Sequence, residues 1–246
     1  MKIKNRFAVI VTISLFLLIS VFVLNCQSKK PEQKKEAPQT TQQVSVADTN
    51  AQVASQVFDF ENCEPGKLPQ GWEAGMTGKG TPGNWQVIAE KVESGENKVL
   101  AQTSMKNFGY HFDIAVAKDT DYKDLTISLK FKAIKGEEDQ GGGPVWRYQD
   151  ENNYYICRAN PLESNFRVYK VINGNRRQLK SYSLPVTSNE WHTIKIEHIG
   201  SHIKCYYDGQ LYLEADDTTF ANSGKVGLWT KADSYCYFDN LTIEGK

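Results

Sequence analysis

The chain has 246 residues, 40% of them hydrophobic and 24% charged, a globular mixture sufficient for one large domain or two small ones and too apolar for wholesale disorder. Its 29 basic side chains balance 29 acidic ones, so it lacks the basic excess with which proteins meet phosphate backbones, and no nucleic acid partner is expected. The balance is uneven: beyond residue 56, 22 basic side chains stand against 26 acidic ones.

Met1 to Arg6 carries three cations ahead of an uncharged, largely apolar run from Phe7 to Leu24, the layout of a bacterial export signal. Such a run would also just span a bilayer at about 1.5 Å per residue, so an uncleaved anchor competes with a cleaved signal. It closes on Val23-Leu24-Asn25-Cys26. That ending resembles the lipobox of bacterial lipoproteins, which implies removal of residues 1–25 as a signal peptide and lipidation of Cys26. Asn25 stands where a small residue is usual, as in the looser boxes of some diderm bacteria. Either reading places the protein outside the cytoplasm, in the bacterial cell envelope, and lipid on Cys26 would hold it to a membrane, by expectation the outer one. Residues 26–56 are rich in Gln, Lys, Thr, Ser, Ala and Pro and contain no aromatic residue. Such a composition buries too little apolar surface to offset the entropy of ordering, so the segment reads as a disordered tether with a reach of roughly 30 Å.

Residues 57–246 show little helical periodicity and many short runs of Val, Ile, Tyr, Phe and Thr between turn signals. The expected strands are Val57–Phe60, Trp85–Ala89, Val99–Thr103, Phe108–Ile114, Leu125–Ile134, Pro144–Gln149, Tyr154–Ala159, Phe166–Ile172, Arg177–Tyr182, Trp191–His198, His202–Tyr207, Gln210–Ala215, Gly224–Thr230 and Tyr235–Ile243. Asn173-Gly174 and Asp208-Gly209 supply the positive φ angles of tight hairpins, and Asp150-Glu151-Asn152-Asn153 makes a longer polar turn. Thr193, Lys195 and Glu197 are expected to face opposite to Trp191, which requires a bulge near Ile194. So many short strands predict one all-β domain, a two-sheet antiparallel jelly-roll sandwich.

Pro144 to Ala159, Glu190-Trp191-His192-Thr193, Tyr207-Asp208-Gly209-Gln210, Gly224 to Ser234 and Phe238-Asp239-Asn240-Leu241 follow one another in a recognisable order. Together they resemble the concanavalin A-like lectin/glucanase superfamily, in the bacterial branch labelled glycoside hydrolase family sixteen-like or 3-keto-disaccharide hydrolase-like. The resemblance implies a curved sandwich over most of residues 57–246 and says less about activity, because that superfamily holds lectins, glucanases and domains without known chemistry.

Retaining glucanases of that superfamily set Glu-x-Asp-x-x-Glu on one strand, bringing the working carboxylates about 5–5.5 Å apart. Glu137-Glu138-Asp139-Gln140-Gly141-Gly142 and Glu214-Ala215-Asp216-Asp217-Thr218-Thr219 both lack the final carboxylate. A non-standard glycosidase site drawing on loop acids such as Asp150, Glu151 and Asp233 stays open as the alternative, each of these acids being otherwise a solvated turn residue. His111, His192, His198 and His202 show no metal-ligand spacing, and no serine elbow, phosphate loop or dinucleotide fingerprint is present.

With 12 Tyr and 5 Trp, many of them beside Arg, Asn or Asp, the expected ligand is a saccharide or glycan, whose rings offer an apolar face and a rim of hydroxyls. Counting back from the polar turn opposes Tyr148 to Tyr155 and Arg147 to Ile156. Arg147, Tyr154 and Arg158 then share one face, and Trp146, Tyr148, Tyr155 and Cys157 the other. The concave face implied by the resemblance would bind ligand through Arg147, Tyr154, Arg158, Trp229 and Lys231. The plainer alternative packs the aromatics, above all Trp85, Trp146 and Trp191, in the core. Phe58-Asp59-Phe60-Glu61 and Phe238-Asp239-Asn240 resemble the paired terminal strands of sugar-binding sandwiches, implying structural Ca²⁺ on Asp59, Glu61 and Asp239, against two edge strands with outward acids. No other cofactor is expected. Cys63, Cys157, Cys205 and Cys236 form two bridges or four free thiols. The leading expectation is a tethered carbohydrate-binding domain, ahead of a glycosidase-like enzyme and of a structural or adhesion envelope protein.

Overall fold

The computed structural model describes residues 55–246, so the expected signal peptide, Cys26 and nearly all of the tether lie outside the described residues. The described chain is all β: β1 Ser55–Phe58, β2 Trp72–Gly78, β3 Trp85–Val92, β4 Gly95–Gln102, β5 His111–Tyr122, β6 Leu125–Lys135, β7 Gly142–Asp150, β8 Asn153–Asn160, β9 Asn165–Ile172, β10 Asn175–Ser183, β11 His192–Ile199, β12 His202–Tyr207, β13 Gln210–Asp216, β14 Gly224–Lys231 and β15 Tyr235–Gly245. They build two antiparallel sheets. The first runs β13-β12-β11-β6-β15-β4-β3, with β1 added against β15, and the second runs β10-β9-β8-β7-β14-β5-β2.

Alternation of apolar and polar residues decides which way each strand faces. In β6, Leu125, Ile127, Leu129 and Phe131 are buried while Thr126, Ser128 and Lys130 point outward, and Ile194, Ile196 and His198 of β11 fall into step beside them. These side chains meet Trp146, Tyr155, Cys157 and Ala159 of the second sheet in the main core. Gly142 matters here, because a Cβ on it would lie 2.6 Å from the ring of Phe131 and 2.9 Å from that of Phe238. Asn173-Gly174 and Asp208-Gly209 close their hairpins with positive φ at all four residues. Cys63, Cys157, Cys205 and Cys236 are all free, the last three fully buried, and burial pushes the Cys157 and Cys236 thiols upward.

Three details depart from the expected pattern. β2 carries Trp-Glu-Ala-Gly-Met-Thr-Gly, which has little β-branched content, and it exists because it pairs residue by residue with β5. β11 pairs with β6 without a register shift, so there is no bulge at Ile194; Trp191 instead precedes the strand and lies under the Lys132 ammonium at 4.7 Å. In the β7–β8 hairpin the pairs are Val145 with Ile156 and Trp146 with Tyr155, and Arg147 to Gln149 bulge opposite Tyr154 alone. Arg147 takes a left-handed φ of 44°, which reverses the expected facing of Arg147 and Tyr148.

One hydrogen bond ties the sheets at their centre. Trp146 Nε1 donates to His198 Nδ1 at 2.9 Å, so the imidazole must keep that nitrogen unprotonated. Burial, reinforced by the nearby Arg147 guanidinium, lowers the His198 pKa from 6.5 to about 4. Between those values the unfolded chain takes up a proton that the folded chain refuses, so stability is fully present above pH 6.5 and falls as the pH drops toward 4. We predict an acid loss on the order of 3 kcal/mol across this window in urea unfolding, removed in His198→Asn; an unchanged pH profile in that variant would refute the assignment.

Candidate ligand-binding site

The second sheet is strongly rolled. In its strand order β5 and β10 are separated by four other strands, yet the Tyr110 hydroxyl, just ahead of β5, donates to the Gly174 carbonyl at 2.9 Å and accepts the Arg176 N–H at the start of β10. Thr77 on β2 likewise meets the Tyr154 hydroxyl at 2.7 Å and the Glu151 carbonyl of the β7–β8 turn. These bonds roof the concave side, and beneath them Phe112, Ile114, Tyr148, Tyr154, Tyr169 and Trp229 belong to a second buried cluster. Hydrophobic burial on both sides explains why this sheet has few polar residues at its middle strands.

Four of the five residues expected to bind ligand gather on this concave face. Tyr154 and Trp229 are fully buried in its floor. Arg158, 1% exposed, donates to Asn165 Oδ1 at 2.8 Å and to Glu163 Oε2 at 2.7 Å, while Lys231 holds Asp139 Oδ2 at 2.8 Å. Burial pulls the Glu163 carboxyl upward, but the hydrogen bond from Asn165 and the Arg158 and Arg167 guanidinia outweigh it and hold its pKa at about 2. The carboxylates here are therefore engaged: Glu163 by two arginines, and Asp139 by Lys231, Asn160 and the Gly141 N–H.

Arg147 is elsewhere. Its bulge carries the side chain, 1% exposed, toward the chain end of the sandwich, where Nε and the two Nη atoms donate to the carbonyls of Lys123, Phe220 and Gly200 and to Asp124. A guanidinium that makes four such bonds inside the fold is a clamp on three loops. We predict that Arg147→Leu lowers unfolding stability by about 2–4 kcal/mol, through stranded carbonyls and an unpaired Asp124, as read in urea titration; a variant of native stability would overturn this role.

Along the outside of this roof runs a groove of about 640 Å³ lined by Gly78, Lys79, Phe108, Tyr110, Asn152 and Gly174. It follows the seam where β2 and the approach to β5 meet the β7–β8 and β9–β10 turns. Phe108 and Tyr110 are 61% and 48% exposed, and the Tyr110 ring packs on Phe112 at 4.7 Å. The far rim is steadied by the Gly174 N–H donating to the Asn152 carbonyl at 3.0 Å. On the near rim His111 Nδ1 donates to the Lys79 carbonyl at 2.9 Å, and His111 Nε2 faces Asp113 Oδ1 at 2.8 Å. Burial raises the Asp113 pKa against the opposing pull of His111. This buried pair fixes the Lys79 backbone and leaves its side chain at the groove. In the sequence Phe108-Gly109-Tyr110 passes for the start of a strand; the visible signal was two rings around a glycine, which here has a φ of 72°.

The acids expected to ligate calcium are engaged by neighbouring donors, Asp59 accepting the Glu61 N–H at 3.2 Å. Asp239 accepts from the Asn97 amide at 3.1 Å and from the Asn240 N–H at 2.7 Å, and Glu61 accepts from the Lys98 N–H at 3.1 Å. The Lys98 ammonium itself donates to the Glu61 and Cys63 carbonyls, at 2.8 and 3.0 Å. Among the described residues no group of three His, Cys, Asp or Glu side chains is arranged for a metal ion.

The family model described as a 3-keto-alpha-glucoside-1,2-lyase-like domain matches residues 54–244. Levanase of Bacillus subtilis (strain 168) is 27% identical over 175 residues, which are 69% of this chain and 23% of levanase, so the chain spans about a quarter of that relative's length. Among solved structures, the carbohydrate binding module CBM66 from Bacillus subtilis superposes with a TM-score of 0.56 at 21% identity, over 71% of this chain and 96% of the module. Xylan beta-1,4-xylosidase from Bacillus halodurans C-125 superposes with a TM-score of 0.53 at 14% identity, over 76% of this chain and 38% of the xylosidase. Identities this low carry the sandwich fold alone. The family match spans nearly all of the described residues, and the chain accordingly belongs to the 3-keto-alpha-glucoside-1,2-lyase-like domain family.

Proposed function

We propose that residues 57–246 form a saccharide-binding domain whose ligand sits in the groove between Phe108, Tyr110 and the two hairpin turns. The observation that carries this reading is the pair of exposed rings at the mouth of a curved sheet, beside Lys79 and Asn152. Flat aromatic faces match the apolar faces of sugar rings, and the neighbouring amide and ammonium supply hydrogen bonds to hydroxyls. The names of two relatives, a carbohydrate binding module and a levanase, support it further.

The family description also names a lyase. An elimination next to a sugar ketone needs a base within reach of the proton on the neighbouring carbon. Beside the groove Glu138 pairs with Lys231 and Asp113 with His111, and deeper in the curl Glu163 and Asp139 are tied up in ion pairs, Glu163 near 2 being too weak a base for that task. Binding is therefore the reading the site chemistry favours. In a glycan array screened with the full chain in detergent, with parallel detection of released reducing ends and unsaturated sugars, we expect binding without product. Tyr110→Ala and Phe108→Ala should each weaken it about tenfold, in line with the 1–3 kcal/mol of a stacked ring. Product release would replace binding by catalysis, and an empty array would remove the saccharide.

We further propose that the domain works outside the cytoplasm, held to the outer membrane by lipid on Cys26 and set off from it by residues 26–56. The support is the order of cations, apolar run and Cys26 at the N-terminus. Labelled palmitate should enter the full chain and be lost in Cys26→Ala, which should then leave the membrane fraction; an unlabelled wild-type chain would sink the lipid anchor.

A further inference from the structure

We propose that the groove selects an acidic saccharide, one bearing a carboxylate, and that Arg176 receives that carboxylate with Lys79 on the opposite rim. The proposal rests on the saccharide reading of the groove and narrows its ligand class.

The cations around the trough divide into two kinds. Arg158 and Arg167 share Glu163 at 2.7 and 3.0 Å, and Lys231 holds Asp139 at 2.8 Å. Arg176 is different. Among the described residues no carboxylate lies within ion-pair distance of it, and its guanidinium is surrounded instead by the rings of Tyr169, Phe112 and Trp229, centred 4.7, 4.8 and 5.8 Å from its Cζ. Ring faces stabilise the charge from above and below, yet they offer nothing to the N–H groups in the guanidinium plane. Its Nη1 is buried with no hydrogen-bond partner. Burial lowers the Arg176 pKa, with the Arg158 cation adding to the fall and Tyr169 and Asp139 opposing it.

Arg176 borders the groove through its backbone. The Arg176 backbone N–H is bonded to the Tyr110 hydroxyl, and Tyr110 and Gly174 both line the opening. Lys79 lines it too and makes no ion pair among the described residues. Of the carboxylates beside the opening, Glu138 receives the Gly109 N–H at 2.9 Å and Lys231 at 3.5 Å, while the exposed Glu151 side chain lies over Gly75. Lys79 on the rim and Arg176, joined to the rim by its backbone, are thus two cations without an ion pair among the described residues, in a domain where acidic side chains outnumber basic ones, 26 to 22. A neutral sugar would meet the free N–H with a hydroxyl, whereas a carboxylate meets both the N–H and the charge, and charge-assisted hydrogen bonds are roughly twice as strong as neutral ones. The planar fork of an arginine matches a carboxylate and not a single hydroxyl.

The test titrates the full chain in detergent with trigalacturonate, a hyaluronate tetrasaccharide and sialyllactose, each beside its carboxyl methyl ester, and with neutral oligosaccharides. At least one acid should bind about tenfold more tightly than its ester, and the advantage should shrink when sodium chloride is raised from about 50 to about 500 mM. Arg176→Gln should bring the acid-to-ester ratio to about one, and Arg176→Lys should retain part of it. Lys79→Gln, at an exposed rim position, should reduce the ratio several-fold and tests the same charge if Arg176→Gln does not fold. Equal affinity for acid and ester, binding confined to neutral sugars, or an acid preference untouched by the substitutions would overturn the acidic class and leave the saccharide reading standing. No binding by acid, ester or neutral sugar would overturn both.

Discussion

The rolling of the seven-stranded sheet sets everything that follows in this domain. A sheet whose inner face is lined by Phe112, Trp229, Tyr154 and Tyr169 has to hide that face from water, and with no third layer among the described residues it does so by curling until its own hairpin turns reach back across it. Tyr110 and Thr77 complete the closure, each with a hydroxyl that bonds to a segment remote in strand order. The outcome is a sandwich with two apolar interiors, one between the sheets and one inside the curl. The surface left for a ligand is the seam where the curl closes, and its loops carry the exposed rings.

Charge follows the same geometry. Arg147 and Arg158 are both almost wholly buried, yet they serve different ends because their surroundings differ. Arg147 gathers loop carbonyls at one end of the sandwich, so its charge is spread over backbone dipoles, whereas Arg158 faces Glu163 inside the trough. Arg176 has rings where the others have acceptors. A buried cation is tolerated when dipoles, a carboxylate or ring faces compensate the lost water, and only the last leaves in-plane donors open for a ligand. Inside the curl the acids Glu163 and Asp139 are paired with the sheet's own arginines and lysine.

Much of this architecture was legible in the chain. Alternation in Leu125–Lys135, the Asn173-Gly174 and Asp208-Gly209 turns and the burial of Trp85 and Trp146 follow from side-chain period and turn chemistry, which are local properties. The shared facing of Tyr154 and Arg158 was equally local, since both lie on one regular strand, whereas Trp229 and Lys231 were placed beside them only by the resemblance. Arg147 was not, because counting from the turn assumes one residue per rung. Its left-handed φ inserts extra residues opposite Tyr154, a choice made by the loop carbonyls waiting for its guanidinium. Strand β2 was hidden for a related reason: Gly75 and Gly78 weaken its local preference, and pairing with β5 supplies what propensity does not.

What the sequence by itself determined was the class of fold, the hairpins, the inward residues of regular strands and the family, all of which depend on spacings within a few residues or on segments in a fixed order. Only the tertiary structure decided that the concave face is roofed, that Trp229 lies beneath Arg176, and that Phe108, Tyr110, Lys79, Asn152 and Gly174 surround one opening. Those residues come from four separate stretches of chain, and the curvature that unites them comes from twist accumulated over seven strands and from closure of an apolar interior, a sum to which each strand contributes and which none of them encodes alone.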